Sequence, residues 1–69
     1  MKRDNAVTPQ DVGKRVSFQF ELPNGFLGEV VGVLEYFDQP AETFMVRRKD
    51  GELARVPLRG VRFGKVVEG

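Results

Sequence analysis

Val16-Ser17-Phe18-Gln19-Phe20-Glu21-Leu22, then Pro23-Asn24-Gly25, then Phe26-Leu27-Gly28-Glu29-Val30 is the stretch that decides how this chain folds. Its alternation is complete. Val16, Phe18, Phe20 and Leu22 share one face of a strand, and Arg15, Ser17, Gln19 and Glu21 share the other. The turn chemistry then selects a register. A three-residue loop with Gly25 in the left-handed region sets Leu22 opposite Phe26, Phe20 opposite Gly28 and Phe18 opposite Val30, all on the inner face. A two-residue loop would oppose Phe20 to Leu27 and mix the faces. Gly28 and Gly32, opposite Phe20 and Val16, leave room for large side chains and let the second strand bend.

Working outward, Phe44-Met45-Val46-Arg47-Arg48, Lys49-Asp50-Gly51 and Glu52-Leu53-Ala54-Arg55-Val56 repeat the blueprint. A three-residue loop pairs Arg48 with Glu52 as a rim ion pair, Val46 with Ala54 and Phe44 with Val56. Pro57 ends that strand because it cannot donate to a ladder. Leu58-Arg59-Gly60 then makes a tight connection to a last strand over residues 61–67, with Val61 and Phe63 expected inward. Residues 38–42 form a proline-broken loop. Near the start, Thr8 caps one helical turn, with Pro9 at its first position, Asp11 at its positive end and Gly13 stopping it. Val12 is expected to point inward from it as a plug. Residues 1–7 read as a flexible polar lead-in, and 8–69 as a single domain.

Five short strands with a glycine-bent second strand describe an all-β fold. It is a small five-stranded antiparallel SH3-like barrel with a short N-terminal helical turn, and an Sm-like barrel stays open as the alternative.

Composition narrows the function classes. Sixty-nine residues hold one domain, and with no cysteine and no histidine the usual disulfide and zinc staples are excluded. There is one tyrosine, and Ser17 is the sole serine, so no nucleophile–base pair can be assembled. The spaced glycines of Gly60-Val61-Arg62-Phe63-Gly64 precede no helical pattern, so they make no phosphate loop. The reading is a non-enzymatic chain with no catalytic, cofactor-binding or metal residues. The longest uncharged apolar stretch, Val30-Val31-Gly32-Val33-Leu34, is strand-sized, so no membrane span or signal peptide is expected. A soluble, cytoplasmic protein fits.

Two surfaces remain as candidates. Leu27, Met45 and Leu53, with Arg47 and Arg55, fall on the outer face and make a docking patch for another protein domain or subunit. Val31 and Val33 flank the Gly32 bend and are expected to turn inward past it. Residues 44–67 also carry seven basic side chains against two acidic ones, although the whole chain is only +1. Arg47, Arg48, Arg55, Arg59 and Arg62 are therefore the alternative, nucleic-acid-binding set. With Phe44 and Phe63 assigned to the core, Tyr36 is the ring left for stacking.

The run Asp11-Val12-Gly13-Lys14-Arg15-Val16, Leu22-Pro23-Asn24-Gly25 and Gly28-Glu29-Val30-Val31-Gly32-Val33-Leu34 continues through Phe44–Glu52 and Arg55-Val56-Pro57-Leu58-Arg59-Gly60-Val61 to Lys65-Val66-Val67. Over residues 11–67 it resembles the small SH3-like domain at the N-terminus of some actinobacterial GNAT-family N-acetyltransferases. The resemblance implies a non-catalytic accessory module, with any acetyltransferase domain outside this chain. The arginine/glutamine-x-x-glycine-x-glycine loop that holds acetyl-CoA does not occur here, so no family functional residue carries over. Similar barrels form the C-terminal domain of a ribosome-maturation factor, which supports an RNA- or ribosome-associated alternative.

Overall fold

The computed structural model of the chain describes residues 4–67. Its strands are β1 (Asp4–Asn5), β2 (Arg15–Glu21), β3 (Leu27–Asp38), β4 (Thr43–Arg48), β5 (Leu53–Pro57) and β6 (Val61–Val66). They make one sheet in the order β1-β6-β2-β3-β4-β5. Every ladder is antiparallel except that of β1, which runs parallel to β6. Single 3₁₀ turns at Pro9–Asp11 and Leu58–Gly60 are the helical pieces among the described residues. This is the small antiparallel all-β domain expected, with five principal strands and a two-residue sixth. The ladder itself is open, since among the described residues no pairing joins β5 to β6 or β1.

Both hairpins adopt the expected registers. Phe20 faces Gly28, Phe18 faces Val30 and Val16 faces Gly32, and the Leu22 N–H donates to the Phe26 carbonyl at 2.8 Å. In the second hairpin Val46 faces Ala54 and Phe44 faces Val56, with Arg48 N–H donating to the Glu52 carbonyl at 2.8 Å. Gly25 and Gly51 close the loops at φ 88° and 91°, a region costly for any residue with a Cβ. The side chains of Arg48 and Glu52 form no ion pair, so the rim pair is a backbone pair only.

The long strand β3 serves two partners. Its first half pairs with β2 and its second with β4, and Gly32 and Val33 pair with both. Gly32 is buried, and the Arg47 carbonyl occupies the space a Cβ would need. Over this bend Val16, Phe18, Leu34, Phe44, Val46 and Val56 pack into the centre of the core. The Phe44 ring lies 5.0 Å from that of Phe18 and 4.8 Å from that of Phe37, distances at which tilted aromatic pairs attract beyond simple burial.

Three expectations are corrected. Val12 is 50% exposed, because backbone bonds, from Gly13 N–H to the Leu34 carbonyl and from Leu34 N–H to that of Lys14, dock this turn on β3. Val7, read as part of a flexible lead-in, fills the inward role instead. It is only 3% exposed, held by the β1–β6 ladder and by Ala6 N–H donating to Gly64 O; residues 1–3 lie outside the described range. Phe63 is 45% exposed rather than in the core. A register shift between Gln19 and Phe20 sets Phe20 opposite Val61 but Gln19 opposite Phe63. Arg62 is the extra residue of this bulge, and it turns the ring to the outer face.

No helix among the described residues is long and apolar enough to cross a membrane.

Candidate functional site

The outer face is ordered in cross-strand rows. One runs Arg15, Val33, Arg47, Leu53 across β2 to β5. The next runs Lys65, Ser17, Val31 across β6, β2 and β3, and a third runs Phe63, Gln19, Glu29. Adjacent rows are about 7 Å apart, two residues along a strand. Val31 and Val33 are exposed here, not turned inward, because the bend at Gly32 brings the backbone of β4 against β3 without rotating β3's alternation.

A shallow groove of ≈ 340 Å³ follows from this arrangement, floored by Val31, Gly32 and Val33 and rimmed by Arg15, Arg47, Arg48 and Lys49. It adjoins a recess at Glu29, Val31, Arg48, Lys49 and Asp50. Beyond Glu29 a second groove of ≈ 430 Å³ reaches Ser17, Gln19, Phe63 and Lys65.

The rim is built by identifiable contacts. The turn carrying Lys49 is set by Gly51 N–H donating to the Arg48 carbonyl at 2.9 Å and Glu52 N–H donating to Asp50 Oδ1 at 2.9 Å. The Arg47 guanidinium donates to the Gly51 carbonyl at 2.8 Å and lies 3.6 Å from Glu35 Oε1. Among the described residues Arg15, Arg48 and Lys49 have no carboxylate partner within ion-pair distance. The floor is therefore apolar, and of the four rim cations Arg47 is paired with Glu35 while Arg15, Arg48 and Lys49 keep their charge.

The docking patch expected at Leu27, Met45 and Leu53 is not assembled. Met45 is 4% exposed: β4 is an interior strand, and the ladder partners Tyr36 and Arg55 flank Met45 on that face. Leu53 is half-buried. Leu27 is exposed, but it sits six residues before Val33 on β3, roughly 20 Å from the Leu53 row. It pairs instead with the tip of the first hairpin, beside the exposed Phe26. Arg47 belongs to the groove, and Arg55 lies exposed on β5.

The nucleic-acid set is divided too. Arg47 and Arg48 meet at the groove, while Arg59 sits on the turn before β6. Arg62 is committed to Glu21 at 2.7 Å, with its Nε buried and unpartnered. Sequence reasoning missed Lys49, Arg15, Val31 and Val33 as one site. The signal lay in the registers already chosen, since these set Arg15 on the outer face and opposite Val33.

Comparison with protein-family models, with curated proteins and with solved structures finds no match for this chain. The functional reading therefore rests on the residues themselves. Fixed positive charge around two bare valines can hold an anionic chain and shelter apolar side chains.

Proposed function

We propose that this chain is a non-catalytic interaction or regulatory module, an accessory domain of a GNAT-type N-acetyltransferase working in the cytoplasm. One observation carries the interaction reading: Val31 and Val33 are 45% and 36% exposed on an ordered sheet, beside Arg15, Arg48 and Lys49, which have no carboxylate partner among the described residues. Exposed apolar surface with a polar rim is the make-up of partner surfaces. The acetyltransferase context comes from the resemblance over residues 11–67.

The test has two arms. The chain incubated with acetyl-CoA and a primary amine is expected to transfer no acetyl group. Titrating the isotope-labelled chain with a GNAT catalytic domain that naturally bears such a module is expected to shift the amides of Val31, Val33 and Lys49. Acetyl transfer by the chain overturns the non-catalytic reading, and unmoved amides overturn the accessory one.

A second reading, an RNA- or ribosome-associated domain, is favoured by the exposed Phe63 ring, which lines a groove with Lys65 and Gln19. An aromatic ring beside a cation is the unit that stacks a base and neutralises a phosphate.

A further inference from the structure

We infer that the Val31–Val33 groove takes an extended, acidic segment of a partner protein with apolar side chains at alternate positions. This rests on the interaction reading above and names the chemistry of the occupant.

The spacing comes first. Val31 and Val33 are two residues apart on β3, about 7 Å, which is also the repeat of same-face side chains on any extended peptide. A segment laid along β3 thus places one apolar side chain over each valine. Over Gly32 and Val33 it cannot join the ladder, because these two residues already pair with both β2 and β4, so side chains must supply the recognition there.

Charge gives the rest. Arg15 rises from β2 on one flank, and Arg47, Arg48 and Lys49 rise from β4 and its turn on the other. Long basic side chains lie along apolar surface and extend their charged ends upward, where they meet carboxylates on both edges of the segment. Glu35 holds Arg47 at 3.6 Å, while Arg15, Arg48 and Lys49 have no ion-pair partner among the described residues and are left for the segment. Arg47 is already oriented by Gly51 and Glu35, which lowers the ordering cost of binding.

A nucleic acid is the poorer occupant. The valine floor offers no ring on which a base can stack. Phe63 lies two strands away on β6, with Gln19 and Ser17 of β2 between it and Val31.

The experiment measures fluorescence anisotropy of short labelled probes with the full chain. A peptide alternating glutamate and leucine is expected to bind, and more weakly as salt rises. Replacing its leucines by glycine or its glutamates by lysine is expected to weaken binding at least about tenfold, as is Arg48→Glu with Lys49→Glu in the protein. Both protein positions are exposed, and a thermal melt confirms that the variant is folded. Amide shifts in the unsubstituted chain are expected at Val31, Val33 and Lys49. No binding, binding indifferent to the charge reversal, or tighter binding of an oligouridylate overturns the inference. If only this peptide fails while a GNAT catalytic domain still shifts the groove amides, the interaction reading survives without it.

Discussion

Gly32 lies against the main-chain carbonyl of Arg47, in a gap too small for any Cβ. This approach brings β4 across the bend in β3, and with it Arg47, Arg48 and Lys49 to the edge of Val31 and Val33. The core and the groove therefore depend on one contact, and a methyl group there disturbs both.

Gly32→Ala is expected to destabilise the domain by about 1–3 kcal/mol, because a Cβ there meets the Arg47 backbone and comes within 2.9 Å of the fully buried Val46 side chain. Gly60→Ala is the control. Nothing lies within reach of a Cβ at Gly60, so its change is expected to stay within about 0.5 kcal/mol. Urea unfolding of both variants checks the contrast.

Gly51 closes the turn that positions Lys49 at φ 91°. Gly51→Ala forces a side chain into the left-handed region and is expected to cost roughly 1–2 kcal/mol. Crowding plays no part, since no atom lies near the would-be Cβ. A Gly51→Asn variant, which tolerates that backbone better, is expected to recover part of the loss. Equilibrium denaturation of the pair separates conformational strain from packing.

The two phenylalanines of the β2–β6 region are expected to behave oppositely. Phe18 is fully buried and packs on Phe44, so Phe18→Ala is expected to cost about 3–5 kcal/mol. Phe63 is nearly half exposed on the outer face, and Phe63→Ala is expected to cost about 1 kcal/mol or less. Similar losses at both positions in thermal melts would contradict the bulge at Arg62.

Asp11 supplies a pH dependence. Its carboxylate accepts from the Thr8 N–H at 2.9 Å and lies 3.2 Å from the Lys14 ammonium. Chiefly the backbone bond, and then the lysine, hold its pKa below the ordinary aspartate value. A depressed folded-state pKa stabilises the fold above the unfolded value, and that contribution disappears as pH falls through the folded one. Asp11→Asn is expected to lower the melting temperature near neutral pH. The gap to the parent is expected to narrow below roughly pH 4, as the parent's own Asp11 protonates. A gap independent of pH would show that the charge of Asp11 is irrelevant.

Much of this architecture was legible in residue order. Pro23-Asn24-Gly25 and Lys49-Asp50-Gly51 can be read as three-residue loops because glycine alone enters the left-handed region cheaply, and loop length then sets every pair in each hairpin. The capped turn at Pro9–Asp11 was legible for similar reasons, since Thr8 and Asp11 act on groups a few residues away. The site was legible only in parts. Alternation placed Arg15, Val31 and Arg47 on one face, but no local pattern stated that the β4–β5 turn would stand over β3.

The chain by itself determined what depends on near neighbours: strand periodicity, turn type and hairpin register. Tertiary structure decided the rest. The bulge at Arg62 put Phe63 outside, and an interior strand position between Tyr36 and Arg55 buried Met45. The β1–β6 ladder drew Val7 into the core. A period of two assigns each side chain to a face, but whether that face is covered depends on strands distant in sequence and on how far the sheet bends.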